Sequence, residues 1–116
     1  MPVHPEYPLD PEELKRRLGK MRDNYRSRVP ARIAAVEALW ERAKTADPSD
    51  VVRDELVLAA HTIGGSASTL GCEALGAAAK DLEHALRSLF ALRKPLSEGE
   101  RAAIGGLVAA LGQSLD

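Results

Sequence analysis

The chain has 116 residues, a formal net charge of −1, 45% hydrophobic and 28% charged side chains, and only 3% aromatic residues. That length fits one domain, with enough chain to bury a core without disulfides or a structural metal. A near-neutral charge gives no global basic field for nucleic acid or an anionic membrane, and so few aromatics argue against a base-stacking surface. Alanine and leucine dominate and β-branched residues are scarce, so the composition predicts helix. Cys72 is the single cysteine, which rules out an internal disulfide, and no Cys/His spacing suggests zinc.

Residues 1–9, MPVHPEYPL, hold three prolines and His4 and are expected to form an extended arm. They lack the basic and apolar regions of a signal peptide. The first helix signal follows at once. Asp10 can cap, Pro11 suits the first helical position, Glu13 stands three residues after the cap, and Leu9 with Leu14 forms a hydrophobic staple. Apolar residues then recur at helical spacing: Leu14, Leu18, Met21, Tyr25, Val29, Ile33, Val36, Trp40 and Ala43. The phase survives Pro30, so either one helix is kinked there or two helices share a face, with a break or bend between Gly19 and Pro30.

TADPSD at 45–50 is a turn and helix start, with Asp47, Ser49 or Asp50 as the cap. The next helix runs to about Leu70, and Gly71 suits the position just past its end. A further helix over about 72–91 aligns Leu75, Ala78, Ala79, Leu82, Leu86 and Leu89, and Lys94-Pro95 closes it. Ser97 with Glu100 makes a capping box for the last helix, whose stripe is Ile104, Leu107, Val108, Leu111 and Leu115. The pattern predicts an all-α, up-and-down four-helix bundle with an additional N-terminal helix segment, in one domain over 10–116.

The stretch AHTIGGSASTLG at 60–71 places two adjacent glycines inside a helix, each costing roughly 1 kcal/mol relative to alanine. With His61 at zero and roughly 100° per residue, Val52, Leu56, Ala59, Ile63, Ala67 and Leu70 cluster on the opposite side. His61 therefore points to solvent, among Asp54, Val57, Leu58, Gly64, Gly65 and Ser68. Gly64 and Gly65 read as a bare shelf that lets a partner approach the imidazole, with Val57 and Leu58 as flanking apolar contacts. A plain solvated histidine beside glycines that serve helix packing accounts for the same pattern.

This stretch, followed by ALGAAAKDLEHAL, resembles the histidine-containing phosphotransfer (HPt) domain family, whose motif is approximately H-x-x-K-G-S-x-x-x-x-G with a leucine-glutamate pair on the next helix. His61 matches the phosphoacceptor, Gly65 and Ser66 the glycine-serine pair, Leu70 and Gly71 the motif's end, and Leu82 and Glu83 the following pair. One departure is Gly64, where the family usually has lysine; Arg53, about two turns earlier, is a conceivable substitute. The resemblance implies a phosphorelay intermediate. It accepts a phosphoryl group on Nε2 of His61 from a receiver-domain aspartyl phosphate and passes it to another receiver aspartate.

The neutral imidazole would be the nucleophile, and Mg²⁺ would belong to the partner receiver, with no metal or cofactor on this chain. Nothing resembles a nucleotide-binding glycine loop, so no kinase activity is expected. Expected partners are response-regulator receiver domains, a hybrid histidine kinase being one carrier of such a domain, with no nucleic acid or membrane. The protein is expected to be a cytoplasmic monomer. The departure at Gly64 leaves a second reading open: a degenerate HPt-like module that binds a receiver or kinase without transfer. A helical dimerisation protein centred on Val57 and Leu58 is a third.

The other candidates read as structural. His84 lies beside Lys80 and Arg87 on what looks like a solvated face. Cys72 and Trp40 suit packing roles. The basic run at 15–28 is broken by acidic and apolar residues at helical spacing and reads as a solvated helix surface.

Overall fold

The structure, a computed structural model, describes residues 10–115; the expected arm, with His4 and Leu9 of the staple, lies outside the described residues. Four α-helices follow one another: α1 Pro11–Ala43, α2 Val52–Thr69, α3 Glu73–Phe90 and α4 Glu98–Gln113. Consecutive helices are neighbours, and α4 closes the bundle against α1. Among the described residues there is no strand, and no helix is long and apolar enough to cross a membrane.

The Asp10 carboxylate caps α1, accepting from the Glu12 and Glu13 amides at 2.8 and 3.2 Å. Glu13 itself turns to Arg16 and Arg17. Of the two expected arrangements the structure has the single helix: α1 passes through Pro30 without a break, and the residues expected as an additional N-terminal segment are the start of α1 itself. Pro30 is exposed, and so is Arg26, whose carbonyl loses its i+4 donor. Buried Val29 and Ile33 hold the helix to the core on either side of the proline.

The apolar stripe of α1 is buried only from Tyr25 onward; Leu14, Leu18 and Met21 are 46%, 44% and 51% exposed. Length is the reason. At roughly 1.5 Å per residue α1 spans about 50 Å, and α2 about half of that. The end of α2 lies level with Arg22, whose Nε donates to the Leu70 carbonyl at 3.0 Å. Beyond that level no described helix remains to cover the stripe.

In the first connection Asp50 accepts from the Val52 amide at 2.9 Å, ahead of α2. Gly71 closes α2 with φ +79°, a left-handed conformation that suits glycine. Cys72 N–H bonds to the Ala67 carbonyl and Gly71 N–H to that of Ser68, the paired bonds of a Schellman motif. The turn between α2 and α3 is thereby reduced to residues 70–72. Ser97 and Glu100 form the expected reciprocal capping box on α4. The core is aliphatic: Leu56, Ile63, Leu75, Leu82, Leu86, Ile104 and Leu111 are fully buried, and Trp40 is nearly so.

Candidate functional site

His61 stands midway along α2 with its side chain 61% exposed. Its Nδ1 lies 3.0 and 3.1 Å from the two carboxylate oxygens of Glu83 on α3. Arg87, one turn further along α3, donates its Nε to Glu83 Oε2 at 2.8 Å. Burial pushes the Glu83 carboxyl up, but hydrogen bonds from Arg87 and His61, together with their charge, outweigh it and hold it below the usual glutamate value. An ionised carboxylate only accepts, so the ring proton belongs on Nδ1. In the neutral imidazole this leaves a lone pair on Nε2, on the far side of the ring from Glu83.

A groove runs along each flank of this face. One lies between α2 and α3, with Asp54, Val57, Leu58, Arg87 and Phe90 on its walls. The other, more apolar, lies between α2 and α1 and includes Leu58, Ala59, Thr62, Ala35 and Leu39. Leu58 belongs to both and is 64% exposed. Asp54, Gly65 and Ser68 are also exposed, and Val57 is half-buried.

Gly64 departs from expectation. It is buried, and a Cβ placed on it would stand 3.2 Å from Lys80 Cγ and 3.7 Å from Ala79 Cβ on α3. It is therefore part of the α2–α3 seam, not of an open shelf. The buried sector of α2 is rotated toward α3, so that Ala60 and Arg53 are covered while Ala59 and Leu70 are only half-buried. Gly65 does stand open, with nothing within 4 Å of a Cβ.

Arg53 is also corrected. It is 3% exposed, its guanidinium carbon lies 4.5 Å from the Phe90 ring centroid, and it donates to the Lys94 carbonyl at 2.8 Å. This arginine braces the loop after α3 and is buried against Phe90. Ser66 faces α1, where its hydroxyl and that of Tyr25 are 2.8 Å apart. Ser68 lies against Gly76 of α3. His84 is exposed, and Trp40 and Cys72 are buried. Among the described residues no group of three His, Cys, Asp or Glu could hold a metal ion.

Glu83 was legible only as half of a motif pair, and Arg87 and Lys80 as a solvated face. The i, i+3, i+7 spacing of Lys80, Glu83 and Arg87 is the signal that joins them into one row on α3. The family model described as Hpt domain matches residues 20–115 of this chain. No match to a curated protein or a solved structure was found.

Proposed function

The chain belongs to the Hpt domain family, whose members carry out histidine phosphotransfer in phosphorelays and interact with receiver domains; on that footing we propose that His61 is its phosphoacceptor. The observation that carries this reading is the Glu83 contact, which engages Nδ1 and leaves Nε2 as the nucleophile. In the forward step the Nε2 lone pair forms the N–P bond as the P–O bond to the receiver aspartate breaks. The electron pair of that bond leaves with the aspartate as a carboxylate. The Nδ1 proton stays in place, and Glu83 offsets the positive charge that develops on the ring. Transfer to a second receiver is the same step reversed.

Asp54, Val57, Leu58, Gly65 and Ser68 lie along α2 on either side of His61, exposed or half-buried, and would meet the receiver, with Leu58 as the central apolar contact. Gly64 supports this surface from the seam with α3. Mg²⁺ would come with the receiver, because phosphoryl transfer needs charge neutralisation and this face has a single carboxylate, Glu83, touching the histidine. The protein would act as a monomeric carrier in the cytoplasm, where the buried Cys72 thiol has no use for an oxidant.

The experiment is incubation with a panel of phosphorylated receiver domains and Mg²⁺, with label followed on wild type and His61→Ala. Acid-labile, base-stable label on wild type alone is the expected result. Receiver binding without label would favour the non-transferring module, for which the absent lysine at Gly64 is the motivating observation.

A further inference from the structure

Gly64 and Lys80 meet across the α2–α3 seam: the Cβ position of Gly64 is 3.2 Å from Lys80 Cγ and 3.7 Å from the Lys80 backbone nitrogen. Where α2 has no side chain, a lysine stem from α3 lies instead. Gly64 is one turn after His61 on α2. Lys80 is one turn before Glu83 on α3, and Glu83 touches the His61 ring. The two helices thus bring the base of Lys80 into the row beside the reactive imidazole.

A phosphoryl group on Nε2 brings a charge of about −1.5 to −2. The cations near it are not equivalent. Arg87 is engaged with Glu83, and Arg53 is buried under Phe90. Lys80 is exposed and forms no ion pair or hydrogen bond with another described residue. Its flexible four-carbon stem lets the ammonium swing along the seam.

We propose that Lys80 is the cation that neutralises the phosphoryl group carried on His61, and that Gly64 is bare so that the Lys80 stem can cross α2. The proposal rests on His61 being the phosphoacceptor. Lys80 gains and loses no proton: the N–P bond forms and the donor bond breaks as above, and the ammonium offsets charge on the phosphoryl oxygens.

The test uses the full chain and potassium phosphoramidate, a donor that needs no receiver. The Nε2–P bond forms, the donor P–N bond breaks and ammonia leaves. Phosphohistidine is followed by phosphorus NMR in wild type, Lys80→Met, Lys80→Arg and the double variant Gly64→Lys/Lys80→Ala. Methionine keeps an apolar stem over Gly64, so the fold is retained. Lys80→Met is expected to slow phosphorylation about threefold to tenfold, as loss of one partly screened charge near 4 Å would. It should also move the protonation midpoint of the phosphoryl group upward. Lys80→Arg should restore both, and so should the double variant, which returns an ammonium from α2. Added salt should narrow the gap between wild type and Lys80→Met. An unchanged rate and midpoint in Lys80→Met would overturn the Lys80 assignment and leave the carrier reading standing. Failure of wild type to form phosphohistidine at His61 would overturn both.

Discussion

Gly76 on α3 and Ser68 on α2 lie in direct contact, so close that a Cβ on Gly76 would stand 2.6 Å from the serine Oγ and 3.2 Å from its backbone nitrogen. The oxygen can rotate away; the backbone cannot. Gly76→Ala should therefore destabilise the fold by about 1–3 kcal/mol despite the better helix propensity of alanine. Chemical denaturation of the variant measures this. A gain in stability would show that the helices separate at little cost.

Gly65 should respond in the opposite way. Its Cβ position is open, so Gly65→Ala should stabilise α2 by up to about 1 kcal/mol. A bulky replacement such as Gly65→Leu should also fold, yet lose transfer from a phosphorylated receiver while still reacting with a small phosphoryl donor. Equal loss with both donors would mean that the ring itself, not receiver access, had been disturbed.

Glu83 couples the site to pH. Its carboxyl is held below its ordinary value in the folded chain, so the stabilisation it provides is complete above that ordinary value. It fades as pH falls through the depressed folded value. The stability gap between wild type and Glu83→Gln, roughly 0.5–1 kcal/mol at about pH 7, should close as the pH falls through that depressed value. Thermal unfolding as a function of pH checks the sign. The same variant should slow phosphorylation of His61 roughly tenfold, because a neutral amide accepts more weakly from Nδ1 than a carboxylate does.

Arg53→Ala should lower stability by about 2–3 kcal/mol through lost packing on Phe90 and the lost bond to the Lys94 carbonyl. Arg53→Met should recover most of this, since it fills the slot and removes the Nε and Nη1 donors that have no partner. Phosphorylation per folded molecule should not change in either variant. A selective loss of rate would return Arg53 to the reactive face.

Three helix ends were readable because local chemistry sets them: the Asp10 cap, the left-handed Gly71 and the Ser97–Glu100 box each act within a few residues, whereas the start of α2, expected to be capped by Asp47, Ser49 or Asp50, has Val51 at the cap position. The course of α1 through Pro30 was not readable, because it depends on which side of the helix faces water. The exposure of Leu14, Leu18 and Met21 depends on where α2 ends, which the periodicity of α1 does not contain. For His61, outward orientation followed from the wheel of α2. Gly64 was misplaced because a wheel opposes one buried side to one wet side, whereas α2 has neighbours on two flanks. On that wheel the covered residues Gly64, Arg53 and Ala60 fall roughly 60–100° from His61, on the side where α3 packs. The Glu83 contact was foreshadowed by its motif position, but its atoms meet only once the hairpin has closed.

The short α2–α3 turn has a kinetic consequence. His61 and Glu83 are 22 positions apart, joined by the tight reversal at residues 70–72, and Gly64 with Lys80 and Ser68 with Gly76 nest inside that separation. All these pairings belong to one helical hairpin. Contacts of such short range need little loop closure and form early in folding. Neither α1 nor α4 supplies an atom to the hydrogen bonds of the histidine, glutamate and arginine. The cluster of His61, Glu83 and Arg87 is thus assembled as soon as α2 finds α3. The outer helices then lend it endurance, through the buried side of the hairpin, without having to set its geometry.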